Sequence, residues 1–224
     1  MSSKKLLPLK SEDLKSFQLL LDTVQDNMGF IPNSMKTMAR VPALLGTFTS
    51  LSAVLLANPD KLSPWTAIKL NIKNLSWAGK FVKKKDRVPL YLRNLVAYMS
   101  SKAAGCVYCQ AHTANEALHN GVPEEKIKAL WEFETHEAFD DNERAAMSFA
   151  IAASTVPNQV TEEHFEALRL HFNEEQIVEL GGIVALFGFL NRWNDTFATP
   201  LEGAPIATAE RLLSHQGWSL GKHV

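Results

Sequence analysis

No stretch of this chain alternates apolar and polar residues with the two-residue period of a half-buried strand. Apolar residues return every three or four positions instead, in one segment after another, as the faces of helices do. This pattern predicts an all-α fold of about nine helices, several of them short. Leu14, Phe17, Leu21 and Val24 mark a first helix that Ser11 can cap and that residues 29–33 interrupt. A short helix is expected over 34–40. Pro42 then opens an apolar segment, 43–56, that reads as buried and ends at Asn58-Pro59-Asp60. Ser63-Pro64 starts a helix with Trp65, Ile68, Ile72 and Leu75 on one face. Pro89 opens the next, where Leu92, Leu95, Val96, Met99 and Ala103 share a side.

The C-terminal half continues in the same way. Residues 123–133 read as a short helix. Asp140-Asp141-Asn142-Glu143 has the acidic, side-chain-capping character of a helix start, with Ala146, Phe149, Ala150 and Ala153 on the core face. Thr161 can cap a helix to His171. Asn173-Glu174-Glu175-Gln176 begins the most apolar helix, carrying Ile177, Leu180, Val184 and Phe187 toward Leu190. Its abruptly polar end, 191–195, reads either as a helix leaving the core or as the lining of a site. A turn at 199–205, a last short helix and a polar tail with Trp218 follow.

The 224 residues are 46% hydrophobic, enough for one sizeable core, so a single domain is expected with 1–10 and 214–224 as tails. Basic and acidic residues nearly cancel, 23 against 24, so composition argues against nucleic-acid partners and anionic membranes. Lys83-Lys84-Lys85 with Arg87 reads as a solvated loop. No apolar run is long enough to span a bilayer, and the first ten residues lack a signal-peptide core. A cytoplasmic location is therefore expected.

Both cysteines lie in one short stretch, 101–120, as Cys106-x-x-Cys109. Two cysteines placed at random in this length would fall three apart roughly 1 time in 100, so coincidence is a poor explanation. On a helix, Cys109, His112, Glu116 and His119 follow spacings of 3, 4 and 3 and share a face with Cys106 one turn back. Val107, Ala111, Ala114 and Leu118 form the opposite, packing face. A thiol reacts as its thiolate and needs a base or positive field nearby. His112, one turn from Cys109, can take or hold its proton, and Glu116 can orient the imidazole and fix its tautomer. A second thiol three residues away lets an oxidised cysteine close to a disulfide before it over-oxidises. The helix N-terminus favours Cys106 as the thiolate and the histidine favours Cys109, so spacing leaves the attacking sulfur open. His119 can simply cap the helix C-terminus. Zinc on Cys106, Cys109 and His112 is the alternative reading, and it lacks a fourth ligand from this stretch.

Gly105-Cys106-Val107-Tyr108-Cys109-Gln110-Ala111-His112-Thr113, following the helix that carries 93–100, resembles the AhpD-like branch of the carboxymuconolactone decarboxylase superfamily. Softer similarity to the longer, peroxidase-related members runs through 29–33, 143–146, 168–172 and 190–195. The resemblance implies an all-helical, homo-oligomeric AhpD-like fold. It also implies reduction of hydrogen peroxide or alkyl hydroperoxides through a redox-active disulfide, with no cofactor or metal. Cys109 would attack, Cys106 would resolve, and a dithiol or thioredoxin-like partner would restore both. Two departures stand out. The family's histidine four residues past the second cysteine is Thr113 here, and its relay glutamate twelve residues before the first cysteine is Asn94. Glu116 is the expected substitute. A cofactorless lyase of the kind that names the superfamily, or a non-enzymatic metal-binding or stress protein, are the alternatives.

Overall fold

The computed structural model describes residues 8–28, 30–56, 64–82 and 84–224. The expected break at Gly29, the stop at Asn58-Pro59-Asp60, the start at Ser63 and the first lysine of the basic run lie outside them. Among the described residues there are no strands and eleven α-helices, so the fold is all-α, as expected. The expectation of about nine fell short. The total was low, not the pattern: the brief helices Asn33–Met38 and Glu124–Lys128 fall on the segments 34–40 and 123–133 already read as helical.

The chain divides into two compact units, 1–87 and 88–224. In the first, a 3-10 turn (Ser11–Phe17) leads into α1 (Gln18–Met28), α2 (Asn33–Met38), α3 (Pro42–Leu56) and α4 (Pro64–Val82). Its core is Leu14, Phe17, Leu20, Leu21, Met35, Ala39 and Leu45, with Leu70 and Trp77 of α4 packed against it. Residues 43–52 are less buried than their composition suggests. Ala43 and Leu45 are in the core, but Phe48 and Leu51 are exposed. Trp65, Ile68, Ile72 and Leu75 do share a face of α4, and that face is exposed.

The second unit holds α5 (Leu90–Ala103), α6 (Val107–His119), α7 (Glu124–Lys128), a 3-10 turn (Leu130–Glu132), α8 (Asp141–Ser154), α9 (Glu162–Arg169), α10 (Glu174–Phe197), α11 (Gly203–Leu212) and a final 3-10 turn (Ser214–Gln216). Helix α5 sits at its centre, packed against α6, α8 and α10. Its Leu92, Leu95, Val96 and Met99 are essentially inaccessible, as periodicity predicts. Helix α6 meets it with small residues, Ala111, Ala114 and Ala117, all fully buried, which lets the two backbones approach closely. The expected starts of α8 and α10 are capping boxes. Asp140 accepts from the Glu143 N–H at 3.1 Å while the Glu143 carboxylate accepts from the Asp140 N–H at 3.0 Å, and Asn173 and Gln176 repeat the arrangement.

Two boundaries differ from expectation. Helix α10 does not end at 190–195 but runs on to Phe197, where Ala198 takes a left-handed conformation. Polar residues do not break a helix, and the first proline comes only at Pro200. Residues 214–224 are not a loose tail. Trp218 and His223 are buried, and the Trp218 indole N–H donates to the Val107 carbonyl at 2.9 Å, at the first turn of α6.

Candidate active site

The cysteines sit where α5 hands over to α6. Gly105, at φ 76°, makes the reversal, a conformation glycine adopts without the penalty of a side chain. Cys106 follows in extended conformation as the N-cap of α6, and its sulfur accepts the Cys109 N–H at 3.4 Å. A thiol stands here in the place usually taken by a serine or aspartate oxygen, facing the unsatisfied amides of a helix N-terminus. Cys109 lies one turn on. Both sulfurs are free thiols and both residues are buried, at 1% and 3% exposure.

The two thiols are driven apart. The hydrogen bond from the Cys109 S–H holds the Cys106 thiol below its ordinary value despite burial, and the backbone N–H groups of Cys109 and Tyr108 act in the same direction. The same bond, with burial and the Cys106 charge, pushes the Cys109 thiol up. The first proton to leave the pair therefore comes off Cys106, and the negative charge then rests there. The Asn194 amide donates to the Cys109 sulfur at 3.5 Å, while the charge of Asp195 pushes both thiols up.

Above the sulfurs lies a half-exposed rim. Expectation paired His112 with Glu116, but the carboxylate on His112 belongs to Glu202, the N-cap of α11, with Nε2 and Oε2 2.7 Å apart. The Tyr108 hydroxyl donates to the same carboxylate at 3.2 and 3.4 Å, and its ring lies 4.6 Å from that of His112. His112, hydrogen-bonded to it, holds the Glu202 carboxyl below its ordinary value, with Tyr108 contributing less. Burial, followed by the Glu202 charge, raises the Tyr108 phenol, so Tyr108 stays a donor. On its other face Tyr108 meets the ring of His223 at 5.7 Å. His119 turns back to the Asn115 carbonyl at 2.8 Å, in keeping with a helix-end role. Thr113 donates to the Cys109 carbonyl at 2.7 Å within α6, so the position where the AhpD pattern has histidine carries no proton relay.

A cavity of about 590 Å³ opens beside this pair. Leu90, Ala97, Ile183, Leu186, Phe187, Leu190 and Trp193 make it mainly apolar. Arg93, Asn94, Tyr108, His112, Glu116 and Asn194 supply its polar groups. Cys109 lines it and Cys106 does not. Glu116 thus borders the cavity as an exposed residue rather than orienting the imidazole, and Asn94 reaches the Glu116 carbonyl at 3.5 Å. A larger groove of about 1440 Å³ along α10 contains neither cysteine, nor His112, nor Glu202. Among the described residues no three His, Cys, Asp or Glu side chains converge as metal ligands, and His112 is turned to Glu202. No helix of the described residues is long and apolar enough to cross a membrane.

A sequence model of the carboxymuconolactone decarboxylase family matches residues 72–152. The crystal structure of the debrominase Bmp8 is 31% identical, covers 92% of this chain and 97% of its own, and superposes with a TM-score of 0.55. The chain belongs to the AhpD/carboxymuconolactone decarboxylase superfamily. A cysteine-to-alanine variant of the same debrominase, solved with 2,3,4-tribromopyrrole, matches equally well, at 30% identity and a TM-score of 0.56. The uncharacterized protein YnjA of Escherichia coli is 24% identical over 127 residues, 57% of this chain and 70% of its own length. A protein of unknown function from Agrobacterium tumefaciens, proposed as an antioxidant-defence AhpD, shares the fold at 22% identity and a TM-score of 0.50, covering 66% of this chain and 97% of its own. The superfamily segment 72–152 contains both cysteines, Asn94, His112 and Glu116. From outside it, Asn194 of α10 meets Cys109, and Glu202, the N-cap of α11, meets His112.

Sequence reasoning missed Glu202 because it lies 90 residues from His112 and carries no local mark. For Asn194 a signal existed. The polar interruption at the end of an apolar helix was one of two readings of 191–195, and the site-lining one describes Asn194.

Proposed function

We propose that this protein is a thiol oxidoreductase that reduces an organic electrophile, with Cys109 as the attacking sulfur and Cys106 as the resolving one. One observation carries the reading: Cys109 lines an apolar cavity while Cys106, hydrogen-bonded to it, stays outside. The thiolate on Cys106 takes the Cys109 proton as Cys109 attacks. With an alkyl hydroperoxide, the Cys109 sulfur takes the terminal oxygen, the O–O bond breaks, and the alkoxide leaves as alcohol. Cys106 then displaces hydroxide from the sulfenic acid, and water leaves. Two thiols and one hydroperoxide give a disulfide, an alcohol and water. A dithiol reductant restores the pair by exchange. The apolar wall and the volume favour an organic hydroperoxide over hydrogen peroxide.

A second substrate class has a specific observation behind it. The debrominase likeness covers nearly the whole chain, and Tyr108, Phe187 and Trp193 give this cavity aromatic walls suited to a flat ring. On a brominated heteroarene the same sulfurs do the same two-electron work. Cys109 takes the bromine, the ring carbon takes a proton, and Cys106 displaces bromide as the disulfide closes. The test is intact mass of the reduced protein after one equivalent of cumene hydroperoxide or of a bromopyrrole. Loss of two hydrogens with no added oxygen supports the reading and names the substrate class. Unchanged mass with both, and titratable thiols, overturns it.

A further inference from the structure

We propose that Glu202 is the positioning residue of this site, orienting His112 as the group that delivers a proton to the leaving group. The inference rests on the thiol chemistry above and adds the proton donor which that chemistry requires.

The need for a donor follows from the balance. Breaking the O–O bond leaves an alkoxide, and taking bromine from a ring leaves a carbanion. Each needs a proton at the cavity, not at Cys106, which lies outside it. Of the groups lining the cavity beside Cys109, Tyr108 has its hydroxyl committed to Glu202 and its phenol raised by burial. Asn94 cannot exchange a proton, Arg93 does not deprotonate, and the Glu116 carboxylate is exposed. His112 remains. A carboxylate only accepts, so the 2.7 Å contact fixes a proton on Nε2 and leaves Nδ1 as the nitrogen that carries the moving one. In the reacting form the Cys106 thiolate is balanced by a second proton on the His112 ring. At the end both are neutral, and the alcohol or arene holds the proton.

Glu202 is itself braced. The Leu201 N–H beside it donates to the His223 carbonyl at 2.9 Å, and the His223 ring is held on the Thr199 carbonyl at 2.8 Å. The charged groups around His112 are Glu202 on α11, Glu116 on α6 and Arg93 on α5. Asp195, with Lys222 at 2.9 Å, and His223 lie behind Tyr108. Only Glu202 makes contact with the imidazole at hydrogen-bond distance among the contacts described.

The experiment is the pH profile of hydroperoxide- or bromopyrrole-driven disulfide closure in Glu202→Gln, with Glu202→Asp and His112→Ala beside it. The amide keeps an acceptor for Nε2–H but removes the charge. Glu202→Gln is expected to slow closure about tenfold and to change its pH dependence, since the amide holds the ring without the carboxylate charge. Glu202→Asp is expected to recover part of the rate. In the His112→Ala background, Glu202→Gln is expected to add no further loss. A Glu202→Gln loss that is equal at every pH, that is absent, or that adds to His112→Ala overturns the assignment. The ring ¹⁵N shifts of His112, titrated in the reduced protein, separate this from the reading it rests on. If neither electrophile closes the disulfide, that reading fails. A Glu202→Gln change in the His112 ring ¹⁵N shifts would still support the Glu202 contact, and no change would refute it.

Discussion

The floor and the rim of the site are built on different principles. The floor is Cys106, Cys109 and Asn194, all buried, with the two sulfurs tied to each other through one turn of helix. The rim is Tyr108, His112 and Glu202, partly or fully open to water and tied together by a carboxylate from a distant helix. In the floor, burial and a shared proton set which sulfur is charged. In the rim, solvent screens every charge, so the contacts orient groups more than they stabilise the fold. The lesson is a division of labour. On the proposed chemistry, reactivity is set where water is excluded, and proton supply is set where it is not.

The sharpest break of that comparison is at the floor. Cys109→Ser is expected to abolish disulfide closure and all substrate consumption, whereas Cys106→Ser should still consume one equivalent and stop with an added oxygen on Cys109. Intact mass distinguishes the two, and consumption by Cys109→Ser would reverse their roles. In α5 the Leu95 side chain is fully buried, and Leu95→Ala is expected to cost about 2–5 kcal/mol in denaturant unfolding. A cost under about 1 kcal/mol would mean the floor is not rigidly packed.

The pH dependence of the thiols is a finer test. Cys106 is lowered from the ordinary value of 9.0 and Cys109 is raised. Thiolate absorbance should therefore rise by one equivalent per chain below pH 9.0 and by the second only above it. In Cys109→Ala the donor is gone, so the Cys106 titration should move up, and a fixed midpoint would deny the shared proton. Asn194→Ala removes one hydrogen bond to Cys109 and is expected to slow disulfide closure by roughly 2- to 12-fold, as a single bond of about 0.5–1.5 kcal/mol allows. The smallest effect is expected at the rim. Glu202→Gln should change unfolding free energy by no more than about 0.5 kcal/mol, since both partners of its ion pair with His112 are solvent-accessible. A larger loss would make the rim a structural element rather than a proton device.

Much of the architecture was legible from apolar spacing. Leu92, Leu95, Val96 and Met99 were expected on one face of α5 and are buried there. Asp140 and Glu143, like Asn173 and Gln176, were expected to start helices and do so as capping boxes. These features depend on neighbours within one or two turns, which the sequence displays directly. The same rule placed Trp65, Ile68, Ile72 and Leu75 on one face of α4, yet those residues stand exposed while Leu70 and Trp77 pack inward. Spacing shows that a face is apolar, but whether anything covers it depends on the other helices.

The site divides along the same line. The sequence by itself determined that two thiols, an imidazole and a helix N-terminus share one short segment, because a helix converts spacings of three and four into proximity. Only the tertiary structure decided which sulfur faces a cavity, that Asn194 meets Cys109, and that Glu202 rather than Glu116 meets His112. Those contacts join residues 85 and 90 positions apart. They exist because α10 and α11 pack back against α6, and no local pattern encodes where a distant helix returns.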